Sequence, residues 1–179
     1  YITSTITSDW SLGQNLAVKG RSHIGIDGLK SQVFAQDSYQ NQVESALAGA
    51  GQGMKLESGK VNTRISGETV VEAKVMSTAT LTEKGGLYSF RLPQPPLGLS
   101  AHQFPSGDVR RTTPVALPYP MREEWRFVLH LNDRLHVVDV PTKVEFENSV
   151  GRILSVVTAD QHDVEVRRTL QLDVRLIQA

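Results

Sequence analysis

His130 and His136 lie symmetrically about Asp133, three residues to either side, and Asp139 follows closely. Two imidazoles facing each other across a turn at Asn132-Asp133, with a carboxylate beside them, would form a nitrogen–oxygen ligand set for a divalent metal. A third protein ligand at strict spacing is missing, so the pair reads first as two exposed histidines at strand ends. His23, His102 and His162 stand alone and read as surface or turn residues. Ser22, His23 and Asp27 have the residue types of a hydrolytic triad, but the chain has no Gly-x-Ser-x-Gly elbow to present the serine. Cysteine is absent, which removes thiolate nucleophiles, disulfides and thiolate-held zinc or iron–sulfur centres together.

Carboxylates are paired at Glu123-Glu124 and at Glu145 and Glu147. The second pair, two apart on a strand, would share one face, an arrangement that glycosidic acid–base work could use. A charged outer strand face has the same pattern and is the commoner origin of it. Gly49-Ala50-Gly51-Gln52-Gly53 imitates a phosphate loop but follows a helical pattern, where the dipole repels phosphate. Glu57-Ser58-Gly59-Lys60 lacks the upstream glycine of a P-loop. No catalytic, cofactor-binding or metal-binding residue is assigned on these grounds, and no cofactor is expected.

Arg110, Arg111, Arg122 and Arg126 could form a basic strip near Tyr119 and Trp125. Lys plus Arg and Asp plus Glu balance at 19 each, so there is no net field to draw in nucleic acid. The run Val115-Ala116-Leu117-Pro118-Tyr119-Pro120 is either a docking surface for another domain or a loop packed on its own sheet. Trp10, Tyr39, Tyr88, Tyr119 and Trp125 are the candidate platform aromatics for a glycan, although the parity of Trp125 with Phe127 and Leu129 predicts that it is buried.

The elements that would carry these residues are mostly strands. Leu16 and Val18, then Ile24 and Ile26, alternate as two half-buried strands about Gly20-Arg21. Leu29, Val33, Tyr39, Val43, Ala46, Leu47 and Ala50 recur at helical steps, which predicts one helix over 29–50. Strands follow within 54–65, 69–81 and 87–92. Seven of the eight prolines fall within 93–120, which reads as an extended crossover because proline removes a ladder donor. Further strands are expected at 125–131, 135–140, 144–146 and 153–157, and a long one from Val164 to Leu176 in which Arg168 alone breaks the apolar parity.

The fold expected is mainly β: a small α+β unit over 1–86, then an antiparallel β-sandwich over 87–179. No apolar run approaches the ~20 residues that span a bilayer. The opening Tyr1-Ile2-Thr3, without Met or an apolar leader, reads as the start of a fragment.

Gly86-Leu87-Tyr88-Ser89-Phe90-Arg91-Leu92-Pro93, Arg111-Thr112-Thr113-Pro114 and Leu117-Pro118-Tyr119-Pro120 form one set of motifs. Phe127-Val128-Leu129-His130-Leu131-Asn132, Val138-Asp139-Val140-Pro141 and Glu147-Asn148 form another. Together they resemble the C-terminal β-rich region of bacterial exported proteins that carry a transglutaminase-like, papain-fold domain, a tail of unassigned function. The segment from Asp9 to Ile26 and the helix expected after it resemble the portion just downstream of that catalytic core. The resemblance implies a non-catalytic accessory module outside the cytoplasm, periplasmic or at the cell surface. Its implied partner is a neighbouring transglutaminase-like domain or a cell-envelope protein. The family's Cys-His-Asp machinery would lie upstream, and no cysteine here matches its nucleophile. An independent peptide- or glycan-binding sandwich is the alternative.

Overall fold

A computed structural model describes residues 2–27, 55–63, 69–77, 81–90, 92, 114–117, 119–140 and 143–177. Eight strands share one twisted sheet. In chain order they are β1 (Ile2–Leu12), β2 (Val18–Asp27), β3 (Lys55–Thr63), β4 (Thr69–Ser77), β8 (Met121–His130), β9 (Val144–Glu147), β10 (Gly151–Ala159) and β11 (Asp163–Leu172). Across the sheet they run β3-β4-β2-β1-β8-β11-β10-β9. Every neighbouring pair is antiparallel except β1 and β8, which run parallel from Ile2↔Met121 to Ser11↔His130. A hairpin of β5 (Leu81–Lys84) and β6 (Leu87–Phe90) stands apart, as does a short pair of β7 (Val115–Ala116) and β12 (Leu176–Ile177).

The central pair explains the core. β1 alternates strictly, turning Ile2, Ser4, Ile6, Ser8, Trp10 and Leu12 inward. β8 does the same with Met121, Glu123, Trp125, Phe127 and Leu129. Trp10 is fully buried and meets the Phe127 ring edge-to-face, with centroids 5.2 Å apart. Burying each large aliphatic side chain contributes roughly 1.5–3 kcal/mol, and the aromatic pair adds about 0.5–1.5 kcal/mol. The serines on this apolar face are satisfied locally. Ser8 Oγ lies 2.8 Å from Ser22 Oγ, which also accepts a hydrogen bond from Trp10 Nε1 at 3.0 Å. Gly20 lies opposite Trp10, and a Cβ there would run into the Asp9 carbonyl oxygen and the indole.

Several expectations change. The helix over 29–50 lies outside the described residues, and the described residues contain no helix. Strands of the expected N-terminal unit and of the expected C-terminal sandwich lie in one mixed sheet, so the large β element is not purely antiparallel. β1 went unread because two of its inward positions are serine. The two short strands about Gly20 are one strand, β2, since glycine at that point lets the neighbouring tryptophan seat without breaking the ladder. Residues 135–140 form no strand, and β8 is hydrogen-bonded to β1 and β11 instead. The long terminal strand stops at Leu172. Beyond it Asp173 N donates to Val150 O, and Leu176–Ile177 turn away to pair with β7.

Candidate functional site

The outer face of the sheet carries the strongest cluster of titratable groups. His130, the last residue of β8, lies opposite Asp163, the first of β11, and beside Ser11 of β1. Its Nδ1 is 2.7 Å from Asp163 Oδ1 and its Nε2 is 3.1 Å from Asp9 Oδ1. The cluster thus ties three adjacent strands together. The hydrogen bond to Asp163 is the largest influence and raises the pKa of His130; burial, next in size, opposes it, and the charges of Asp163 and Asp9 with the Asp9 hydrogen bond add to the rise.

Around the imidazole the chain is pinned by local capping. Asn132 donates from Nδ2 to the Gly13 carbonyl at 2.8 Å and accepts from Arg134 N through Oδ1 at 3.0 Å. Leu131 N donates to His162 O, and Asp160 Oδ1 receives the amides of His162 and Asp163. Those two amides hold the Asp160 carboxyl below its usual range.

The chemistry this cluster can perform is limited by its own saturation. A general base needs one imidazole nitrogen free for the proton it abstracts, and both nitrogens of His130 face carboxylates. The three groups also do not converge on one point. Among the described residues no group of three His, Cys, Asp or Glu is placed to hold a metal ion. His136 is exposed on the irregular segment after the turn, and the hairpin expected to bring it opposite His130 does not exist. Asp133 and Asp139 are exposed on the same stretch.

The remaining candidates separate in the same way. Ser22 points into the core whereas His23 points to solvent, so the Ser22, His23, Asp27 triple is split across two faces of β2. Glu123 is buried on the inner face while Glu124 lies on the outer, 2.7 Å from Arg122. Glu145 and Glu147 do share a face, as their spacing predicts, but Arg152 reaches both, at 3.0 and 3.9 Å, and Lys143 reaches Glu145 at 2.6 Å. The Lys143 hydrogen bond, with Arg152, keeps Glu145 more acidic than an ordinary glutamate, the opposite of what a general acid needs. Glu57-Ser58-Gly59-Lys60 belongs to strand β3 rather than to a loop.

Of the basic strip, Arg126 pairs with Glu165 at 2.7 Å and Arg122 with Glu124, while Arg110 and Arg111 lie outside the described residues, as do His102 and the Gly49 to Gly53 run. Tyr119 is half-buried, and burial raises its hydroxyl pKa. Leu117 is buried with its amide on Arg175 O, so this end of the proline-rich run is packed on the chain's own C-terminal segment. Trp10 and Trp125 are both core residues, which leaves neither available as a glycan platform. Asp9 and Asp163, the residues that complete the cluster, were missed because they lie 121 and 33 positions from His130 and share no motif with it.

A family model described as a domain of unknown function with solved structure, DUF3858, matches residues 87–179, just over half of the chain. The chain belongs to the DUF3858 family. The match spans His130 and Asp163, whereas Asp9 comes from the preceding part of the sequence. The DUF3858 match makes no link to transglutaminase-like proteins. Neither a curated protein nor a solved structure matches the chain significantly. No helix among the described residues is long and apolar enough to cross a membrane.

Proposed function

We propose that the chain is a non-catalytic accessory module of an exported, transglutaminase-like bacterial protein, and that it works outside the cytoplasm by holding a protein or cell-envelope partner. The transglutaminase context rests on the motif resemblance from Gly86 to Asn148. The non-catalytic reading rests on the chemistry of the described residues. Its carrying observation is the double carboxylate contact of His130, which in the charged ring leaves the best-placed imidazole without a nitrogen to accept a proton. The absence of any thiol and the neutralised Glu145–Glu147 pair support the same reading.

A binding role calls for exposed surface, and the β9 edge offers it. Val144 and Phe146 are more than half exposed there, and Val138 and Val140 add apolar surface on the preceding segment. The test is to assay the 179-residue chain for peptide hydrolysis and for amine incorporation into glutamine-containing protein. No turnover is expected, and turnover abolished by His130→Gln would overturn the proposal.

The β9 edge also favours a second reading, an independent peptide-binding domain that adds an extended segment as a further strand. Binding of extended peptides by the chain alone, lost in Phe146→Lys, would favour this reading over an accessory role.

A further inference from the structure

The hydrogen-bond inventory of the His130 cluster carries an inference beyond the binding role. Carboxylates are acceptor-only when ionised, and neutral imidazole has one donor and one acceptor nitrogen. Two simultaneous carboxylate contacts, Nδ1 to Asp163 and Nε2 to Asp9, are both hydrogen bonds only when the ring is a doubly protonated imidazolium. Loss of one proton turns one of them into a nitrogen lone pair facing a carboxylate, which is repulsive.

We propose that His130 is a proton-dependent clasp. Charged, it ties the end of the N-terminal β1–β2 hairpin, through Asp9, to the C-terminal strands β8 and β11. Neutral, it lets that end go. The placement suits this role, because the clasp lies at the last rung of the parallel β1–β8 pairing, Ser11↔His130. Beside it, Asn132 on Gly13 O makes a pH-independent tether.

The surrounding charges fix which contact breaks. On β11, Glu165 faces the same side but is held by Arg126 and Arg167. The 160–163 turn contributes Asp160, which is occupied by backbone amides, and His162. On β2, Arg21 lies opposite Asp9 and Lys19 opposite Ser11, so alternative cations wait for Asp9 on the hairpin itself. Asp163 makes the shorter contact. Deprotonation therefore releases Asp9 first, toward Arg21, and keeps the Asp163 bond.

The test is NMR on the whole chain across the neutral pH range. The His130 ring nitrogens should both carry protons at low pH, and their titration midpoint should lie above that of a histidine in an unfolded peptide. The midpoint should fall in Asp163→Asn and, by less, in Asp9→Asn. Amide protection factors of β1 at its Trp10–Leu12 end should drop as pH rises through that midpoint, and His130→Gln should abolish the pH dependence. A midpoint at the peptide value, a single ring proton throughout with an aspartic acid carrying the other, or protection that ignores pH would each overturn the proposal. The wild-type titration alone suffices should a variant fail to fold.

Discussion

Ser22 is a small residue with a large local role, because its hydroxyl joins Ser8 and Trp10 across the β1–β2 pair inside an apolar core. Ser22→Ala withdraws the acceptor of the indole N–H and the partner of Ser8, and should cost about 1–3 kcal/mol in urea unfolding. Gly20→Ala should cost at least about 1–3 kcal/mol, since a methyl group there meets backbone and indole rather than a yielding side-chain tip. Arg168, the one polar residue on the inward parity of β11, lies with its guanidinium 4.3 Å from the Trp125 ring centroid, its cross-strand partner. Its departure from alternation is thus a cation–π contact over a buried indole, worth about 0.5–1 kcal/mol at a partly exposed site. Among the described residues the Trp125 Nε1 itself has no hydrogen-bond partner. Alternation in the sequence shows where Trp125 faces, but nothing in it shows that an arginine would cover the ring.

His130 links residue chemistry to pH. Its pKa is raised in the folded state by the Asp163 hydrogen bond before all else, and is ordinary in the unfolded chain. The cluster's contribution to stability is therefore full below the unfolded histidine value and fades as pH rises through the higher folded one. Thermal unfolding of the wild type should show a melting temperature that declines over that window, and His130→Gln should remove that decline. The group is substantially exposed, so the change should be a modest shift rather than a collapse.

At the scale of elements, the two ends of the sheet differ. β8 buries every second residue, whereas all four residues of β9 are exposed. Phe127→Ala should cost about 3–5 kcal/mol, while Phe146→Ser should cost far less, about 0.5 kcal/mol, because its ring is more than half exposed. Chemical denaturation of the two variants side by side checks the contrast. Strands with clean alternation, such as β8 and β11, were legible because a single parity carries their apolar side chains. β1 was not, since Ser4 and Ser8 dilute its inward face and only the partners on β2 reveal why serine is tolerated there. The return over 135–140 was misread because apolar alternation also occurs in an irregular segment whose Val138 is left exposed. Gly85 and Gly86, at φ of 62° and 80°, form the two-residue link between β5 and β6 that left-handed backbone demands.

For the whole molecule the decisive fact is that the DUF3858 match begins at β6 while the sheet reaches back to β1. β8 lies between β11 of the matched segment and β1 of the preceding one. A fragment of residues 87–179 would expose one edge of β8, with the inward Trp125 and Phe127 stripped of Ile6 and Trp10. Such an edge is a template for aggregation. The fragment should lack the cooperative thermal transition of the full chain, and adding the 1–86 fragment in trans should restore it, as circular dichroism can follow. Local alternation could not foretell this junction, because a parallel pairing has no turn to announce it and its partners are far apart in sequence.

That junction also sets a clock. Each of its rungs joins residues 119 apart, as Ile2 with Met121, so a ribosome adding roughly 5–20 residues per second leaves β1 waiting on the order of 6–24 s for its neighbour. Throughout that interval the indole of Trp10 lacks the ring it will later abut. Nascent chains should therefore be most vulnerable to capture or misassembly just before β8 emerges, and a slowing of translation there would lengthen the hazard.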